Sequence, residues 1–200
     1  MRELVGERNI EDLPISFTAV ATDVDEQKEV WLRHGSLFDA IRASIAVPLV
    51  FTPHRVQGRY LLDGGLINPV PIAPTLNDDT DLTIAVNLSG PPTREPARVE
   101  IEHRPVLEEY RRRIKQFIET LGGKSTEVDE DERGFFEVLT QVVDTVENTI
   151  ARFKLAAYSP DYIVEIPRNA CALFDFHRAG ELIALGWQRA EQTLAHIRDD

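Results

Sequence analysis

Hydrophobic and polar positions first resolve near the middle of the N-terminal half. Leu37, Ile41 and Ile45 recur at helical spacing behind Ser36, a residue type favoured at helix N-caps, and Pro48 turns the preceding backbone away from helical angles. The pattern predicts a short helix over residues 37–46. Two apolar runs follow, 49–56 and 60–62, separated by Gln57-Gly58-Arg59, and they read as a tight strand pair whose second member ends on Asp63. Upstream, Ile15, Phe17, Ala19 and Ala21 alternate with Ser16, Thr18, Val20 and Thr22, all small or β-branched, as in a strand covered on both faces. A turn then leads into a strand over 29–32.

Residues 82–88 (Leu-Thr-Ile-Ala-Val-Asn-Leu) form a nearly continuous apolar run, which predicts an interior parallel strand with helices on both sides of its sheet. Residues 91–96, with three prolines, read as an exposed connection. Leu107, Tyr110, Ile114, Phe117, Ile118 and Leu121 mark one face of a helix that ends at Gly122-Gly123. A polar run over 124–133 follows, and periodicity returns through Leu139, Val142, Val146, Ile150 and Phe153 in a long helix from about Phe135. These two helices, within 103–157, are expected to form an antiparallel pair. The chain returns to its sheet over 161–166, stopped by Pro167. It closes with a helix over 178–197, whose inward positions are Ala179, Leu182, Ile183, Gly186, Ala190, Leu194 and Ile197. The expected fold class is α/β: one domain over residues 1–200, with a mainly parallel central sheet flanked by helices.

Composition narrows the function classes. The chain has 200 residues, 42% of them hydrophobic, enough to bury a core. Its formal charge of −12 makes nucleic acid a poor partner, because phosphate backbones demand clustered Lys and Arg. Cys171 is the single cysteine, so no intramolecular disulfide forms and nothing points to an oxidising compartment. Residues 1–13 lack an apolar signal region, and no run approaches the ~20 apolar residues that cross a bilayer. A cytoplasmic location fits, with any membrane contact peripheral, at the inner face. Arg111, Arg112, Arg113 and Lys115 on the polar side of the first long helix leave two readings open: a helix packed on its own domain with solvated arginines, or one lying on an anionic membrane.

The chemistry-bearing candidate is Asp63-Gly64-Gly65. As three residues it reads first as a turn, since glycine supplies positive φ at no steric cost. Two glycines directly after a carboxylate at a strand end also let a backbone or a ligand approach it closely, and Asn68-Pro69-Val70-Pro71 stiffens the exit. Metal is not indicated. The five histidines, at 34, 54, 103, 177 and 196, include no helical i, i+4 pair with a glutamate. The segment from Asp23 resembles the start of a calcium loop, but its sixth position is Lys28 and its twelfth is His34, so a calcium site is rejected. No cofactor is expected.

Taken together, Ala43-Ser44-Ile45-Ala46-Val47-Pro48, Phe51-Thr52-Pro53, Gly58, Tyr60, Asp63-Gly64-Gly65 and Asn68-Pro69-Val70-Pro71 resemble the distal half of a patatin-like phospholipase. Val20-Ala21-Thr22-Asp23, Pro160-Asp161 and Phe174-Asp175-Phe176-His177-Arg178-Ala179 are similar to bacterial members. The resemblance implies a three-layer sandwich and a lipid acyl hydrolase working through a Ser-Asp dyad, with Asp63 as its acid and Gly64 and Gly65 completing the motif. It implies a lipid or acyl-ester substrate, and the helical pair within 103–157 as a lid. Such enzymes carry their serine in a GxSxG elbow, which none of Ser16, Ser36, Ser44, Ser89, Ser125 or Ser159 matches. The expectation is therefore the C-terminal portion of such a domain, incomplete on its N-terminal side, with little activity alone and a tendency to self-associate through open sheet edges. Two alternatives stand beside it: a non-catalytic binding or scaffold remnant of an esterase fold, and an intact α/β domain of another kind in which Asp-Gly-Gly is only a turn.

Overall fold

The computed structural model describes residues 6–48, 50–93, 130–172 and 175–195. They belong to two compact units: Met1–Asp81 with Leu139–Ser159, and Leu82–Val138 with Pro160–Asp200.

In the first unit, β1 (Ala19–Asp23), β2 (Lys28–Leu32), β3 (His54–Val56) and β4 (Arg59–Asp63) form one sheet in the order β2-β1-β4-β3. Every pairing in it is antiparallel, in contrast to the expected mainly parallel sheet. The reason is local. Four residues join β1 to β2, and only Gln57-Gly58 joins β3 to β4, whereas a parallel pair needs a crossover of a dozen residues or more. Both residues of that hairpin turn have positive φ, 49° at Gln57 and 84° at Gly58, which matches the twist of the flanking strands. The first apolar run yields strand only at its end, because residues up to Phe51 are spent in a turn in which Val50 and Phe51 donate backbone N–H bonds to the Val47 carbonyl.

Helix α1 (Leu37–Ser44) starts as expected, with Ser36 Oγ accepting from the Asp39 N–H at 3.2 Å. Its buried face of Leu37, Ala40 and Ala43 packs on Ala19 and Ala21 of β1 and Leu61 of β4, alanines on both sides with a leucine from each. β1 is buried at all five positions, as its pattern predicts, but it begins only at Ala19, and Ile15 and Phe17, expected on a covered face, are exposed. Across from α1, His54 Nε2 and Asp39 Oδ1 pair at 3.0 Å, and the Arg42 guanidinium stacks over Phe51, so α1 is clipped to the start of β3.

The long helix α2 (Glu130–Tyr158) gives its residues from Leu139 to the first unit. It starts at Glu130, inside the 124–133 polar run and ahead of the expected start near Phe135. Its inward stripe keeps Leu139 and Ile150 of the predicted one, both partly buried, and departs from it elsewhere. Val142, Val146 and Phe153 are exposed, Phe153 at 72%, while Ala151 is 1% exposed and Glu147, Lys154 and Tyr158 are partly buried.

The second unit pairs β5 (Ile84–Gly90) with β6 (Tyr162–Pro167) in parallel, as expected. β5 is not covered on both faces, because Ile84, Val86 and Leu88 on one side are exposed, Leu88 at 69%. In α3 (Ala179–Leu194) the buried residues are Gly180 and Leu185, whereas Ile183 is exposed and a methyl on Gly186 would meet nothing within 4 Å. Among the described residues Gly186 therefore has no close-packed neighbour. The expected helix over 107–121, the second half of the 91–96 connection and Ile197 lie outside the described residues.

Replacing Ser36 by Ala removes the α1 cap and is expected to lower stability by about 1 kcal/mol in urea unfolding.

Candidate active site

Asp63 is the last residue of β4, facing Ala21 of β1, and its position is fixed by two backbone partners and one side-chain hydroxyl. Its N–H donates to the Ala46 carbonyl at 3.0 Å, at the end of α1, and its carbonyl accepts from Thr22 Oγ1 at 2.8 Å. Its own carboxylate caps the short 3-10 turn Gly64–Leu66, with Oδ1 accepting from the Gly65 N–H at 2.6 Å. Among the described residues Asp63 Oδ2 accepts no hydrogen bond and no serine hydroxyl reaches the carboxylate.

The two glycines do different things, and neither needs positive φ. A methyl on Gly64 would sit 2.3 Å from the Val20 carbonyl oxygen and 2.7 Å from its carbon, so this residue is a backbone-to-backbone contact that no side chain fits. A methyl on Gly65 would lie 3.0 Å from Asp63 Oδ1 and 3.6 Å from Glu147 Oε1. Gly65 is thus flanked by two carboxyl groups. The exit is as stiff as its sequence predicts: the Asn68 N–H donates to the Gly64 carbonyl at 2.8 Å, and Asn68, Val70 and Ile72 are buried.

Glu147 is the residue that sequence reasoning missed. It lies on α2, on the stripe that also carries Ala151 and Lys154. Lys154 Nζ approaches Glu29 Oε2 at 3.7 Å, and the same oxygen accepts from Asn68 Nδ2 at 2.8 Å, so one carboxylate ties helix, sheet edge and turn exit together. Burial is the largest influence on Glu147 and raises its carboxyl, with the charges of Asp63 and then Asp144 adding, to about 7. Burial also raises Asp63, opposed by the Gly65 hydrogen bond.

Asp23, first of the calcium-like segment, is buried and its Oδ1 accepts from the Glu26 N–H at 3.1 Å, which makes it a turn residue. Among the described residues no group of His, Cys, Asp or Glu is placed to hold a metal, and no helix is long and apolar enough to cross a membrane. A cavity of about 460 Å³ opens over β2 and the β3–β4 hairpin, lined by Glu29, Trp31, Arg33, Arg59 and Leu61 among others. Asp63 does not line it, so volume alone does not locate the chemistry.

The family profile described as patatin-like phospholipase matches residues 1–76, the segment that ends just beyond this turn. An uncharacterized NTE family protein of Mycobacterium bovis is 35% identical over the whole of this chain and 68% of its own length, and a counterpart in Mycobacterium tuberculosis matches equally. The chain belongs to the patatin-like phospholipase family. A patatin-like phospholipase domain-containing protein of Caenorhabditis elegans is 37% identical over 36% of this chain and 5% of its own. The patatin-like segment thus contains Asp63, Gly64 and Gly65, while Glu147 lies beyond it.

Gly64→Ala is expected to cost roughly 3 kcal/mol in urea unfolding, because backbone must move, and Gly65→Ala under about 1 kcal/mol, because only side-chain ends must shift. A second expectation concerns pH. Both carboxyls have folded-state pKa values above their unfolded ones, so the stability they contribute is whole below the unfolded values and is lost as pH rises through them, for Glu147 through about 7. The fall in Tm between pH 5 and pH 8 should therefore be smaller in Glu147→Gln than in the native chain.

Proposed function

We propose that this chain carries the acid of a Ser-Asp dyad in a lipid acyl hydrolase, and that Asp63 is that acid. The observation that carries the reading is a half-buried carboxylate held by backbone alone, with one oxygen on the Gly65 N–H and the other open. Family membership supports it, since patatin-like phospholipases are lipid hydrolases and the matched segment contains this turn. The substrate class is an acyl ester of a lipid, met by peripheral contact with its surface.

The chemistry follows from the carboxylate's setting. A serine oxygen attacks the ester carbonyl while Asp63 Oδ2 takes its proton, and a tetrahedral oxyanion forms that backbone N–H groups stabilise. Collapse expels the alcohol, which receives the proton from Asp63, and leaves an acyl-enzyme. Water then attacks the acyl carbon, again losing its proton to Asp63, and the serine departs with the proton restored. An ordinary aspartate is a weak base at neutral pH, and partial burial makes Asp63 a better one. Gly65 keeps a side chain off Asp63 Oδ1, and Gly64 lets the turn seat against Val20.

None of the six serines has glycine two residues away on both sides, so we assign the nucleophile to a segment outside these 200 residues. The same observation favours a second reading, a non-catalytic binding or scaffold protein with an esterase-like site. Hydrolysis of a short-chain nitrophenyl ester separates the two. The 200-residue chain should stay at buffer background. A protein that joins it to its in-frame GxSxG segment should turn over, and Asp63→Ala should lower its kcat by about 10²–10⁴-fold. Turnover by the short chain that disappears in Asp63→Ala would overturn the assignment of the serine. Absence of any in-frame GxSxG segment would favour the scaffold.

A further inference from the structure

The Asp63 turn is closed on its helix side by a second carboxyl group that the dyad chemistry does not use. Glu147 is partly buried, on the side of α2 that turns inward, and its Oε1 would be 3.6 Å from a methyl placed on Gly65. Its place is held from a distance. Ala151, 1% exposed, packs one turn further on, and Lys154 pairs with Glu29 beyond that, so α2 is anchored without help from Glu147. The Glu29–Lys154 pair is internally neutral. What faces Glu147 is negative from both sides, with Asp63 from the turn and Asp144 from its own helix, and among the described residues no cation or hydrogen-bond donor pairs with it. A pair of carboxyl groups in such surroundings holds one proton between them more readily than none.

We propose that Glu147 is a positioning residue for Asp63: its neutral carboxyl packs over Gly65 and keeps the Asp63 carboxylate seated on the Gly65 N–H, and its ionisation loosens that seat. The inference rests on Asp63 being the dyad acid. It divides the labour between the two acids by environment. Asp63 has a backbone N–H to stabilise its anion and so ionises first, while Glu147, with burial and a neighbouring anion against it, keeps its proton up to about 7. Glu147 thus sets the upper edge of the pH range over which Asp63 is presented to substrate in one geometry. No bond is made or broken at Glu147 in this role.

The test is NMR on the 200-residue chain from pH 5 to pH 9, following the Glu147 side-chain carboxyl carbon and the Gly65 amide. The two should share a transition near 7. Asp63→Asn should bring the Glu147 midpoint down by about one pH unit. Glu147→Gln should abolish the Gly65 transition, and Asp144→Asn should keep it. In the serine-bearing protein, the fall in kcat above neutral pH should vanish in Glu147→Gln with KM little changed, which a merely structural role would not produce. A Gly65 transition that persists in Glu147→Gln, or a Glu147 midpoint indifferent to Asp63→Asn, overturns the proposal. Hydrolysis indifferent to Asp63→Ala instead overturns the dyad reading, so the two failures are told apart.

Discussion

The backbone of Gly64 lies so close to the Val20 carbonyl that a methyl group there would be 2.3 Å from its oxygen, and the geometry of the site follows from that contact. Val20 belongs to β1, the strand buried along its whole length, so the turn after β4 is pressed onto the least deformable part of the first unit. Once Gly64 is seated, Asp63 has little freedom. Its N–H is committed to Ala46 and its carbonyl to Thr22, and its carboxylate meets the Gly65 N–H. The close approach ties the end of α1, the centre of the sheet and the candidate acid into one rigid corner.

How much of this was legible in the sequence varies with the range of the forces involved. The Ser36 cap, the 37–46 helix and the tight β3–β4 turn are written in neighbouring residues, and each appears within a residue or two of its expected place. Asp63 could be singled out because the two glycines after it are unusual at a strand end. Their reason could not. Sequence logic offers positive φ as the cause, whereas Gly64 is small for a steric reason set by Val20, some forty residues away, and Gly65 is tight only against Asp63 Oδ1, with Glu147 at ordinary contact distance.

The sheet and α2 were misread for related reasons. Apolar runs show that strands are buried but not which neighbour they take, and connection length decides that for β1–β2 and β3–β4 in favour of antiparallel pairing. In α2, the apolar periodicity through Leu139, Val142, Val146, Ile150 and Phe153 points to a face of which Val142, Val146 and Phe153 are exposed while Leu139 and Ile150 are partly buried. The inward stripe carries Glu147, Lys154 and Tyr158 beside Val143, Ile150, Ala151 and Leu155, so polar and apolar side chains share it. A hydrophobic-face argument misses those polar members, of which Lys154 is placed by its ion pair with Glu29.

That mixed stripe also bears on why an acid sits beside an acid. Burying a carboxyl group without a partner is costly when it is charged and far less so when it is protonated. Glu147 lowers that cost by keeping its proton, and Asp63 by accepting a backbone N–H, so the same corner holds one anion and one neutral acid rather than two anions. If packing were the whole purpose, leucine or glutamine at 147 would fill the space with no titration attached. The carboxyl group adds only one property that those residues lack: a dependence on pH, directed at the one carboxylate whose ionisation the proposed chemistry requires.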